Sequence, residues 1–107
     1  DRGLVDGLAW LGEHFSVEDN PDPPSQWHYY YLYGLERTGV KLGVRTFGRH
    51  AWYREGAEHL LKSQKPDGSW AEAAAAGKPA DATESAITQT CFAILFLARA
   101  TRPITRR

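Results

Sequence analysis

Few residues in this chain are of a type and spacing to do chemistry. Carboxylates cluster at Glu18-Asp19-Asn20-Pro21-Asp22, inside a proline-rich run. There they are solvated, with no burial to raise a pKa into the range of a general acid. Cys91 stands alone in an apolar stretch, with no His or Asp at ligand spacing, and reads as a small buried hydrophobe rather than a metal ligand. His14, His28, His50 and His59 are scattered. Glu55 and His59 lie four apart on one helix and read as a solvated pair. No glycine-rich phosphate loop and no Ser/His/Asp arrangement is present. The sequence assigns no catalytic residue, no metal and no cofactor.

The aromatic residues are the other candidates. Trp27, Tyr30, Tyr31, Phe92 and Phe96, with Tyr33, fall on two helices that can face one another. Aromatic faces stabilise cations, by about 2 kcal/mol or more where water is excluded. An apolar or cationic ligand is one use for such a face. Packing between the two helices is the plainer one. The tyrosine hydroxyls suit a wet, concave surface.

Four helices must position these groups. Asp1 caps the first, in which Leu4, Leu8, Leu11 and Phe15 recur at helical spacing up to about Val17. Ser25 offers the N-cap of the second. Trp27, Tyr30, Tyr31, Gly34, Leu35 and Thr38 share its expected inner face, Tyr29, Leu32 and Tyr33 widen the apolar surface, and Gly39 is its expected left-handed stop. Residues 40–49 read as a crossing loop. The third helix starts near His50. Tyr53, Ala57, Leu60, Leu61 and Gln64 share its apolar face, and Glu58 and Lys62 oppose it as a charge pair. Pro66-Asp67-Gly68 ends it in a turn, and Trp70 returns as an apolar plate expected to cover the Gln64 amide. Residues 71–80 read as a surface loop. Asp81-Ala82-Thr83-Glu84 resembles a capping box for a fourth helix running to about Ala100, apolar nearly all round and so expected to be buried.

Gly56, Leu60-Leu61, Gln64, Gly68 and Trp70, in that order and spacing, resemble the QW motif of the squalene/hopene cyclase and prenyltransferase repeat superfamily. The resemblance covers the middle of the chain. It implies an all-α (α/α) toroid, here a fragment of about four main helices in two helix-hairpin repeats, about 1–42 and 49–103. Helices one and three would be outer, two and four inner. Gly7, Leu11 and Phe15 overlay on Gly56, Leu60 and Gln64, and Leu35 and Arg37 on Leu97 and Arg99. In the first copy Phe15 replaces the glutamine, and Ser25-Gln26-Trp27 replaces Gly68-Ser69-Trp70.

The catalytic motifs of the resembled enzymes are not matched. Their cyclases use an Asp-x-Asp-Asp acid, from which Asp19-Asn20-Pro21-Asp22 departs. Their protein prenyltransferases hold zinc with Asp, Cys and His, and Cys91 lacks those partners. The reading is a non-catalytic structural or ligand-binding arc. The alternative is a fragment of an isoprenoid- or triterpene-acting enzyme whose acid or zinc site lies in residues not present. Sugar processing, which such toroids also host, has only the fold in its favour.

Thirteen basic and thirteen acidic residues cancel, which gives no electrostatic case for nucleic acid or an anionic membrane. Arg102, Arg106 and Arg107 form a basic tip, read as a solvated end. No apolar stretch reaches the length of a membrane span. One cysteine excludes an internal disulfide. A chain of 107 residues that starts at Asp1 and holds no Met is expected to be an excised piece of something longer. A two-repeat arc leaves lateral surfaces uncovered. The expected partners are the remaining repeats or a second copy, with an apolar small molecule as a further candidate.

Overall fold

The computed structural model describes residues 1–18, 28–71 and 82–101, with side chains in the last helix from residue 86 onward. Several sequence features fall outside those residues. They are the Asp19–Asp22 run, Ser25, Trp27, the 72–80 stretch, the capping-box side chains and the basic tip. The rest is all-α, in four helices: α1 (Arg2–His14), α2 (His28–Leu42), α3 (Trp52–Ser63) and α4 (Ala82–Ala98). Among the described residues an isolated bridge between Phe47 and His50 is the sole extended pairing.

Asp1 caps α1 by accepting from the Gly3 amide, 2.8 Å away. The helix then stops at His14, a turn earlier than its apolar spacing suggests, and buries no residue completely. Leu8, Leu11 and Phe15 lean on the core from its edge. Leu4, Val5 and Trp10 stay exposed. α1 rests on the 47–50 turn. A Cβ at Gly12 would come within 2.8 Å of the Gly48 amide nitrogen, so only glycine allows this approach.

The core lies where α2, α3 and α4 pack on one another. Tyr29, Leu32 and Leu35 of α2, Trp52 and Leu60 of α3, and Ala93 and Phe96 of α4 are buried there with Phe47 and Trp70. The buried face of α2 is thus 29, 32, 35, 36 and 39, about one position round from the expected face. Tyr30 is exposed. Two things hid the true face. Consecutive aromatics in Tyr29-Tyr30-Tyr31-Leu32-Tyr33 carry no period. Glu36, a charge that normally marks solvent, is completely buried. Its carboxylate accepts from the Thr101 amide (2.9 Å) and the Thr101 hydroxyl (2.6 Å), which makes that burial tolerable.

Gly39 is not the stop of α2. It sits inside the helix, where the Trp52 ring occupies the place a Cβ would need. α2 ends at Leu42, with Gly43 left-handed at φ 66°. The Gly43 amide bonds the Val40 carbonyl, and the Val44 amide the Gly39 carbonyl, a Schellman closure. α4 ends the same way: the Arg99 amide reaches the Phe96 carbonyl and the Ala100 amide reaches that of Leu95. Here the left-handed residue is Arg99, at φ 48°. Superposing the two stops pairs Gly43 with Arg99. The overlay of Arg37 on Arg99 fails, because Arg37 is mid-helix.

α4 is not buried all round. Neighbours cover one side only, and Ile87, Cys91 and Ile94 face outward as a stripe at helical spacing. Cys91 is a free, exposed thiol rather than a core residue. No helix of the described residues is long and apolar enough to cross a membrane.

Candidate functional site

The motif residues come together at the end of α3. Gly56 lets the Phe96 ring lie directly against the α3 backbone, since a Cβ there would overlap that ring. Leu60 is completely buried beside it. Leu61, one position round, is 65% exposed, so only half of the Leu-Leu pair reaches the core. α3 is covered on one side, and adjacent helical positions lie about 100° apart.

Past Ser63 the chain turns extended at Gln64 (φ −63°, ψ 132°). The Leu60 carbonyl then accepts twice, from the Gln64 amide at 3.0 Å and from the Trp70 indole Nε1–H at 2.8 Å. The indole thus adds a donor from beyond the turn to a carbonyl at the helix end. The Trp70 backbone continues the lock into α4. Its amide donates to the Thr90 hydroxyl oxygen (3.0 Å), and that hydroxyl is 3.4 Å from the Trp70 carbonyl. Trp70 is buried, as expected, but it does not cover Gln64. The Gln64 side chain is exposed, and its amide nitrogen donates to the Gly68 carbonyl at 2.9 Å. Gln64 ties the Pro66–Gly68 turn, while the indole ties the helices. In that turn Gly68 takes φ 93° and its amide bonds the Lys65 carbonyl. The Ser69 hydroxyl and amide both donate to Asp67, which holds its carboxyl below the usual carboxylate range.

The aromatic candidates do not form one face. Phe96 is a core residue, stacked on Tyr53 with ring centroids 5.7 Å apart and edge-on to Trp52. Tyr31 turns toward the end of α1, where its hydroxyl donates to the Ser16 carbonyl. Burial raises its pKa, partly offset by that bond. Tyr30 and Phe92 do meet, edge to face at 5.5 Å, with Tyr33 on the other side of Phe92 at the same distance. This trio straddles α2 and α4 at the surface, next to the outward stripe of α4.

The histidines form two pairs, neither of them the expected one. Glu55 bonds His50, whose Nδ1–H donates at 3.1 Å, instead of His59. His59 lies edge-on to His28, 5.1 Å between centroids. The His28 Nε2–H donates to the Val17 carbonyl. Burial first, then the neighbouring His28, lower the His59 pKa against the opposing pull of Glu18. No group of three or more metal-ligating side chains exists among the described residues. The Glu58–Lys62 pair expected on α3 does not close, and the ion pairs among the described residues are Arg2–Asp6 and His50–Glu55.

Two residues that hold this architecture escaped the sequence reading, Thr90 and Glu36. Each is one polar group on an otherwise apolar helix face, and that isolation is the signal that marks them. No family model, no curated protein and no solved structure matches the chain.

Proposed function

We propose that this chain is a non-catalytic arc of an (α/α) toroid, a packing unit that offers its outer α4 stripe to a further helical repeat or a second copy. The stripe of Ile87, Cys91 and Ile94 carries the reading: on a helix whose other side is core, Ile87 is 63% and Ile94 53% exposed. Burying one such side chain is worth about 1.5–3 kcal/mol, so a neighbour that covers the stripe gains stability. Leu4, Val5 and Trp10 on α1 are a second uncovered apolar set. The Leu60–Trp70–Thr90 lock supports a structural role, since its polar groups are spent on each other.

Sedimentation of the free chain over a wide concentration range tests this. Reversible self-association is expected. Ile87→Glu with Ile94→Glu abolishes it without loss of helical signal, because both positions are exposed. A chain that stays monomeric at high concentration, or a dimer indifferent to both substitutions, sinks the proposal.

The Tyr30–Phe92–Tyr33 cluster favours a second reading, a fragment of an isoprenoid- or triterpene-acting enzyme that contributes an apolar wall. Thermal-shift screening against squalene-like lipids and isoprenyl diphosphates separates the two. A shift abolished by Phe92→Ala supports the second, and no shift leaves the first.

A further inference from the structure

A second feature lies at the start of α3, at the other end of that helix from the Trp70 corner. Where α2 ends and α3 begins there is a cavity of about 520 Å³, and the end of α4 closes one side. Val44, Trp52 and Tyr53 line it, with the exposed Arg45, Arg54 and Arg99 contributed by three different segments. No carboxylate lines it among the described residues. None of the three guanidinium groups has an acidic partner there, since the described ion pairs involve other side chains. Three exposed cations thus line one hollow with no carboxylate among its described lining residues. A hollow lined by one sign of charge attracts an anion.

Arg99 makes the arrangement harder to dismiss as chance. It holds the left-handed position of a Schellman stop, where glycine is favoured and where the equivalent residue of α2 is Gly43. Its guanidinium lies 3.6 Å over the Tyr53 ring, and the Tyr53 hydroxyl donates to the Leu97 carbonyl at 2.8 Å. An arginine kept at a glycine position, with its charge fixed on an aromatic plate at the cavity edge, is an outlier that asks for a use. α3 adds to the field. Its N-cap, Ala51, makes no side-chain cap bond, so the first-turn amides at Trp52 to Arg54 have no capping side chain.

We propose that this cavity binds a small phosphorylated molecule, its phosphoryl group held by Arg45, Arg54 and Arg99 and its organic part against Trp52 and Tyr53. Guanidinium forks match phosphoryl oxygens in bidentate pairs. The volume falls within the range of small-molecule sites and exceeds what a bare phosphate fills. The site is separate from the α4 stripe, so either proposal can fail alone.

Amide NMR titration of the full chain at fixed ionic strength tests it, with phenyl phosphate and inorganic phosphate as probes and chloride as control. Saturable shifts are expected at Val44, Arg45 and Trp52 to Arg54, with phenyl phosphate binding more tightly. Arg99→Gly weakens binding roughly tenfold, the scale of one charge-assisted contact. It leaves the fold intact, because glycine suits that backbone. Arg45→Gln with Arg54→Gln weakens binding further, and Arg37→Gln, remote on the Tyr33 ring, does not. Shifts that never saturate, that chloride reproduces, or that Arg37→Gln reduces as much as Arg99→Gly overturn the proposal.

Discussion

α1 and α3 end in nearly the same backbone conformation and are held in opposite ways. Phe15 closes α1 at φ −60°, ψ 132°, and Gln64 closes α3 at φ −63°, ψ 132°. Around Gln64 the helix is locked: a phenyl ring lies against Gly56, Leu60 is buried, and an indole donates to the Leu60 carbonyl. Around Phe15 the matching places are loose. Gly7 has nothing within 4 Å of where its Cβ would be, and Leu11 is only partly buried. The Phe15 ring stacks on His50 at 4.6 Å and pins α1 to a turn. A shared helix-end geometry therefore does not make a shared lock. The lock needs a ring from α4 and an indole from beyond the turn.

The largest test of this contrast is Trp70→Ala. It removes a buried indole and leaves the Leu60 carbonyl with one donor fewer. A loss of about 3–5 kcal/mol is expected in denaturant unfolding. A loss under about 1 kcal/mol would mean that the corner does not lock the helices.

Next come the two glycines, which should respond with opposite signs. Gly56→Ala forces the Phe96 ring off α3 and costs about 1–3 kcal/mol. Gly7→Ala meets open space in a helix interior and stabilises by about 0.5–1 kcal/mol. Melting temperatures of both variants decide it. Equal signs would mean that the two helices are not packed as differently as their surroundings imply.

The sequence made this contrast half legible. Helix number, the turn at Pro66–Gly68 and the burial of Trp70 follow from period and turn chemistry, which are local. The rotation of α2 does not, because Glu36 is buried only through a partner 65 residues away, Thr101. The exposure of Ile87, Cys91 and Ile94 is hidden for a similar reason. An all-apolar helix predicts burial, and nothing local says that neighbours cover one side. The cavity arginines come from three segments that only the tertiary fold brings together.

A smaller effect separates α3 from α1 by pH. His59 on α3 meets His28 at the start of α2, and its pKa is lowered by burial and by that neighbour. The unfolded chain then binds more protons than the folded one below the ordinary histidine pKa. Stability should fall as pH drops through that range and level off below the folded value. His59→Gln should flatten the slope between pH 7 and 5, measured as unfolding midpoints. A slope unchanged by His59→Gln would overturn the assignment.

The smallest effect is the most discriminating, because it concerns the glutamine at the end of α3. Gln64 is exposed and its one side-chain bond is local, to the Gly68 carbonyl. Exposed bonds of this kind contribute at the low end of about 0.5–1.5 kcal/mol. Gln64→Ala should therefore cost roughly 0.5 kcal/mol and loosen the turn, read as faster amide exchange at Gly68 with no change at Leu60. If it cost as much as Trp70→Ala, the glutamine and the indole would be acting as one unit. The separation drawn here, between a side chain that ties a turn and one that ties helices, would then be wrong.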